Sequence, residues 1–263
     1  MSDNGPIWAR LAGLTPARIG LGRAGSGMPT REVLRFGLDH AQARDAVHTP
    51  LDADELLGKI TDLGFTALPV ASQAPDRATY LRRPDLGRRL AAEDYAVLKD
   101  RAGPFDLAIV IADGLSARAV HENAVPVLAA FKPYAETAGW ALSPVVVARQ
   151  ARVALGDAIG GALDARAVAV LIGERPGLSS PDSLGIYLTF GPRVGRSDAE
   201  RNCISNVRAA GLTPDRAAFK LNWLLGCALH LGLTGVTLKD ESDRVAIAGC
   251  EAPPLPERPG TPA

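Results

Sequence analysis

Cysteine is scarce in this chain and long apolar runs are missing. Only three cysteines occur in 263 residues, Cys203, Cys227 and Cys250. They show no C-x-x-C spacing and no histidine at metal-ligand distance, which excludes a metal site read from sequence. An odd, sparse count also argues against a disulfide scaffold and fits the reducing cytoplasm. No apolar run approaches the roughly 20 residues that span a bilayer, so no membrane association is expected. The first residues, MSDNGP, lack the basic-then-apolar layout of a signal peptide. Aromatic residues make up 5% of the chain, too few for a platform on which bases stack. There is no excess of either charge: 29 Lys and Arg balance 29 Asp and Glu. No net field draws in nucleic acid or an anionic membrane.

Alanine and glycine are abundant, which favours close helix packing. The length suits one large domain, or one domain with a smaller partner. Residues 1–14 read as a loose arm that Trp8 and Leu11 could anchor. Thr30 reads as the N-cap of a helix with Val33, Leu34, Gly37, Leu38 and Ala41 on one face. Further helices are expected at 52–63 and 93–101, with a possible strand at 65–70. Residues 1–103 therefore form a mainly helical N-terminal region. From 104 to 238 the pattern alternates. Strands are expected at 106–112, 144–148, 167–172 and 184–190, with helices beginning at Ser116 and Leu155. Pro126 and Pro133 predict a restart near Asn123 and a kink or end near Pro133. Closing helices are expected at 198–210 and 216–231. The fold class is α/β: a Rossmann-like, doubly wound, mostly parallel sheet. Residues 239–263, ending in a Pro-rich run, read as a disordered tail.

The glycines of GLGRAG, 20–25, match G-x-G-x-x-G but follow no full strand and open no helix, so nicotinamide binding is rejected. Arg18 and Arg23 beside them could embrace a partner subunit or a cofactor edge. Asp113 stands at a strand's carboxyl end, where ligands of open α/β sheets gather. Ser116 behind it suits a helix cap. Glu174 and Arg175 follow the next strand; composition alone favours a salt bridge that shapes the turn. Cys203, alone, reads as a small buried hydrophobe, and Val153 as a core residue. There is no P-loop and no G-x-S-x-G. A stand-alone nucleotide-binding or hydrolytic enzyme with a site at Asp113 and Glu174 stays open as an alternative, as does a purely structural adaptor.

Several segments in order resemble the small (light) subunit of ethanolamine ammonia-lyase: ARIGLGRAG at 17–25, TREVLRF at 30–36, DHAQARD at 39–45 and YLRRPDLGRRL at 80–90. ADGLS at 112–116, IGERPGLSSPDSLGIYLT at 172–189 and NCISN at 202–206 continue the series. The resemblance implies an adenosylcobalamin-dependent lyase that converts ethanolamine to acetaldehyde and ammonia. It implies activity only in a hetero-oligomer with the large subunit, a TIM barrel that holds the substrate site. Val153, Glu174 and Cys203 match the family's corrinoid contacts; no catalytic residue and no metal ligand is expected in this chain. The sequence has no Asp-x-His-x-x-Gly, so the cofactor is expected base-on, with its own benzimidazole on cobalt. Some relatives carry a longer N-terminal extension linked to packaging in a bacterial microcompartment, and the arm here is short.

Overall fold

The structure, a computed structural model, describes residues 6–244. Cys250 and most of the expected tail lie outside them. Six strands form one sheet: β1 (Ala67–Ala71), β2 (Leu107–Ala112), β3 (Val145–Arg149), β4 (Ala167–Gly173), β5 (Leu184–Phe190) and β6 (Arg201–Val207). Their spatial order is β1-β3-β2-β4-β5-β6. The first four are parallel, whereas β5 and β6 run antiparallel. The expected alternation thus yields a mixed, mostly parallel sheet, and its last two strands depart from the parallel expectation. The residues between β4 and β5 form a turn without a crossover helix, and a turn of that kind returns the chain antiparallel.

β2 (LAIVIA) and β4 (AVAVLIG) are buried at every position, as strands covered on both faces must be. Leu107, Ile109 and Ile111 face helices α3 (Ala53–Asp62), α6 (Ala117–Ala138) and α8 (Pro214–Leu231). Ala108, Val110 and Ala112 face α5 (Ala92–Lys99) and α7 (Leu155–Ala162). β3 lies on one side of β2 and β4 on the other. The crossover helices of these two connections, α6 and α7, pack on opposite faces. β1, from the mainly helical N-terminal part, is hydrogen-bonded into the same sheet beside β3.

Four local expectations are corrected. The arm contains a helix, α1 (Pro6–Ala12), on which Trp8 is exposed. In α2 (Thr30–His48), Thr30 is the first helical residue; Pro29 holds the cap position and no side chain caps it. Helix α6 runs unbroken through Pro126 and Pro133. Both prolines lie on its exposed side, as do Glu122 and Ala129, whose carbonyls lose their intrahelical partners. Water can satisfy those carbonyls, while Val120, Ala124, Val127, Leu128 and Phe131 hold the buried side.

The fourth correction concerns 198–210, which is not a helix. A capping box forms there, Ser197 with Glu200, but it closes a single 3-10 turn, Asp198–Glu200, and β6 follows. A bulge explains the helix-like spacing of buried Ile204 and Val207, whereas Arg201, three residues before Ile204 in regular strand, is buried on the opposite face against Asp157. Leu184 and Ile186 of β5 are two residues apart, yet their β6 partners Val207 and Ile204 are three apart. The extra residue keeps both apolar side chains on one face.

Candidate functional site

Where β2 and β4 end, their backbones pack against one another. A Cβ on Gly173 would lie 2.0 Å from the Ser116 carbonyl oxygen, and one on Gly114 would lie 2.2 Å from that of Gly173. Gly114 also has φ +55°, so no other residue fits without a shift. The Leu115 N–H donates to the Gly173 carbonyl at 2.9 Å. Ser116 caps α6 as expected: its Oγ accepts from Ala119 N–H at 3.2 Å and donates to the Pro181 carbonyl at 2.8 Å.

A small cavity of about 150 Å³ opens over this junction. Its lining includes Tyr80, Arg152, Val153, Glu174, Arg175 and Tyr187. Its place fits the rule that ligands of open α/β sheets bind beyond the strands' carboxyl ends, where successive crossovers diverge to opposite faces. Val153 and Glu174, 21 positions apart, therefore share one cavity wall. Cys203 stands next to it, as the cross-strand partner of Tyr187. A larger hollow of about 710 Å³ lies beyond β1 and β3, around Ser72, Gln73 and Gln150. It contains none of the three expected contacts.

Glu174 is held from two sides. Its Oε2 accepts from Ser183 Oγ at 2.5 Å and from the Asn206 N–H at 3.2 Å. Asn206 lies in the β6 bulge with φ +58°, a conformation asparagine tolerates better than most residues. The bulge thus aims a backbone donor at the carboxylate. Among the described residues, Glu174 forms no salt bridge with Arg175 and its Oε1 accepts no hydrogen bond. The turn-shaping ion pair is not what orders this loop.

Asp113 does other work than a ligand-site acid. It is buried, and its two oxygens accept from Gln150 N–H at 2.9 Å and Ala151 N–H at 3.0 Å. The Arg77 guanidinium lies 3.5 Å away. Burial pushes the carboxyl up, opposed by those N–H groups and by Arg77. Both oxygens serve to fix the loop after β3, the loop that carries Arg152 and Val153.

Cys203 is exposed on β6 rather than buried. Partial desolvation of the sulfur still raises the thiol above its ordinary range; Tyr187 opposes that rise and the charge of Glu174 adds to it. A raised thiol is a poor nucleophile at neutral pH. The glycines at 20–25 follow no strand, and Arg18 beside them pairs with Asp39 of α2 at 2.5 Å.

The sequence reading missed Tyr80, Arg152, Ser183, Tyr187 and Asn206. Tyr80 is fully buried and donates its hydroxyl to the Ala151 carbonyl at 3.0 Å. The guanidinium of Arg152 stacks 4.3 Å from its ring centroid. Gly87 permits this packing, since a Cβ there would meet the Tyr80 ring at 2.9 Å and Arg152 Cγ at 3.0 Å. The YLRRPDLGRRL stretch carried both Tyr80 and Gly87, but nothing local tied them to Arg152.

The ethanolamine ammonia-lyase light chain (EutC) family matches residues 6–239. An ethanolamine ammonia-lyase small subunit of Xanthomonas campestris pv. campestris is 54% identical over 241 residues, covering 90% of this chain and 89% of the relative. One from Bradyrhizobium diazoefficiens is 56% identical over 234 residues, covering 88% and 90%. One from Azotobacter vinelandii is 50% identical over 262 residues, covering 97% of each.

Proposed function

This chain belongs to the ethanolamine ammonia-lyase light chain family, and from that premise we propose that it is the small subunit of an adenosylcobalamin-dependent ethanolamine ammonia-lyase. In this reading it contacts the corrinoid, while a large subunit, a TIM barrel, holds the substrate site in a hetero-oligomer. The carrying observation is the convergence of Val153, Glu174 and Cys203 around one cavity. The sheet around β2 and β4 is read as Rossmann-like and doubly wound, with β5 and β6 as an antiparallel addition. Residues 104–238 form the cofactor-contacting part, and 1–103 the mainly helical part before it.

The residues present fit the periphery of a corrinoid. Corrin side chains are amides whose N–H groups need acceptors, and Glu174 Oε1 is an ionisable acceptor that takes no hydrogen bond from the described residues. Val153 adds partly buried apolar surface at the same wall. A cavity of about 150 Å³ is side-chain sized, so a macrocycle needs a second protein wall, which the large subunit would supply. When bound base-on, the cofactor supplies the radical chemistry that moves the amino group of ethanolamine and releases acetaldehyde and ammonia. The chain's own share is to bind and orient. Ser183 and the Asn206 N–H fix the carboxylate, and the Asp113 clamp fixes the loop of Val153.

A stand-alone enzyme using Asp113 and Glu174 fits poorly, because both oxygens of Asp113 are spent on backbone N–H groups. The isolated, folded chain should therefore release no acetaldehyde, and activity should appear only on adding the large subunit. Glu174→Ala tests the site itself. A lost hydrogen bond to a charged group is worth about 1.5–3 kcal/mol, on the order of a tenfold to hundredfold rise in Kd for cobalamin. The fold should persist, since Glu174 lies in the loop after β4 and outside the apolar core. Equal dissociation constants for variant and parent complexes would overturn the cofactor role.

A further inference from the structure

Two arginines line the same cavity without counter-charges. Arg152 and Arg175 both line it, and among the described residues neither forms a salt bridge. Arg77, the other cation stacked on Tyr80, differs because Asp113 lies 3.5 Å from it. Arg152 is held tightly. Its backbone N–H donates to the Gly87 carbonyl at 2.8 Å, and its side chain stacks on Tyr80. Its Nε–H is buried and has no acceptor. An arginine cannot shed its proton to escape that position, and buried donors in folded proteins almost always have partners. The described residues supply no acceptor for it, nor for Arg77 Nη2, so a bound anion would meet an unpaired donor here; Arg152 Nη2 itself donates to the Tyr80 carbonyl at 3.5 Å. Glu174 is the only carboxylate in the cavity lining, and its Oε2 is already taken by Ser183 and Asn206. The lining thus carries two positive groups against one negative group.

We propose that Arg152 and Arg175 form a phosphate-binding site in the cavity beyond β2 and β4. Resting on the corrinoid reading above, the phosphate is the phosphodiester of the cofactor's nucleotide loop. A guanidinium presents several N–H donors in a fixed plane, which suits phosphate oxygens better than a neutral amide. The division of labour follows from chemistry. Glu174 accepts from amide N–H groups of the ring periphery, while the two arginines donate to the anionic arm. An anion in a cavity with a carboxylate is tolerable only because the arginines outnumber it.

The test compares two corrinoids on the assembled complex. Cyanocobalamin carries the nucleotide loop; dicyanocobinamide lacks its phosphate, ribose and base. The variants are Arg152→Lys, which keeps the charge but removes the buried Nε–H, and Arg175→Gln, at an exposed loop position that cannot disturb the core. Each should weaken cyanocobalamin binding on the order of tenfold, with cobinamide affinity moving less than about twofold. Equal losses for both corrinoids would reduce the arginines to packing roles and overturn the assignment, as would no loss for either. A separate arm follows melting of the full chain in inorganic phosphate against chloride at matched ionic strength. Stabilisation by phosphate in the parent but not in Arg152→Lys, with corrinoid selectivity unchanged, would keep the phosphate site and overturn its nucleotide-loop occupant. If the parent complex binds neither corrinoid, the proposed function itself fails, while the phosphate arm still decides the site.

Discussion

From β1 to β4 the strands run parallel, and β2 and β4 hold no titratable side chain at all. From β5 to β6 they run antiparallel, and β6 adds polar ties to the burial of Ile204 and Val207. Arg201 at its start is buried and makes a two-pronged pair with buried Asp157 of α7, both contacts at 2.7 Å. Thr189 Oγ1 accepts from the same guanidinium at 2.9 Å. Asn202 bonds the carbonyl of Leu238 at 2.7 Å and receives the Gly235 N–H at 2.9 Å. One half of the sheet is therefore held by non-directional burial. The other adds, to the burial of Leu184, Ile186, Leu188, Ile204 and Val207, contacts that each need one geometry. Glu174 sits at the seam, just past the end of β4, and both of its fixings come from the antiparallel side: Ser183 before β5 and Asn206 in β6.

The sharpest way to break this contrast is Asp157→Ala. It leaves Arg201 buried without its main partner, a situation that costs about 3–5 kcal/mol when a buried pair is cut. Urea unfolding should show that loss. A change under about 1 kcal/mol, the range of exposed pairs, would mean that apolar burial holds both halves alike. A second substitution separates fold from site. Asn206→Val forces a β-branched residue into the left-handed region, at roughly 1–2 kcal/mol. It should also weaken cobalamin binding by moving the N–H that holds Glu174. Asn206→Gly keeps the backbone conformation and that N–H, and loses only the 3.0 Å bond from Arg208. Its cofactor affinity should match the parent's. Matching affinity in the valine variant would show that the bulge does not position Glu174.

The same division explains what the sequence made legible. The buried strands announced themselves, because a strand covered on both faces reads as an unbroken apolar run. β2, β3 and β4 were bounded to within a residue or two. Ser116 as a helix cap was equally plain. β6 was not, for two physical reasons. A real capping box at Ser197 and Glu200 signalled a helix that stopped after one turn. A bulge then spaced Ile204 and Val207 three apart, the interval of a helix face. The prolines of α6 misled in the other direction, since their cost depends on which side faces water. For the site, Glu174 and Cys203 stood out through the family resemblance. Tyr80 and Arg152 did not, because a stack between residues 72 positions apart leaves no local trace. Asp113 misled: strand-end position is shared by ligand residues and by loop clamps.

The gentlest probe is acid. Glu200 takes the Ser197 N–H at 2.8 Å and its hydroxyl at 3.0 Å on Oε2, and pairs with Arg196 through Oε1. The Ser197 N–H, then Arg196 and the Ser197 hydroxyl, hold its carboxyl down at about 2, against an ordinary value of 4.5. A folded value below the unfolded one means that the group stabilises the fold fully above pH 4.5. That contribution fades as pH falls from 4.5 through about 2, and is gone only below it, where both states are protonated. The group is exposed to solvent, so screening keeps the effect small. Its location makes it informative all the same, because Glu200 closes the turn that delivers Arg201 into β6. Amide protection in β6, taken relative to the intrinsic exchange rate at each pH, should therefore fall across that window before protection in β2, which has nothing to titrate. Glu200→Gln should be less stable than the parent at pH 5, and the difference should shrink towards pH 2. A gap that stays constant across the window would show that Glu200 acts through its shape alone, and uniform loosening of β2 and β6 would show that the two halves of the sheet yield together.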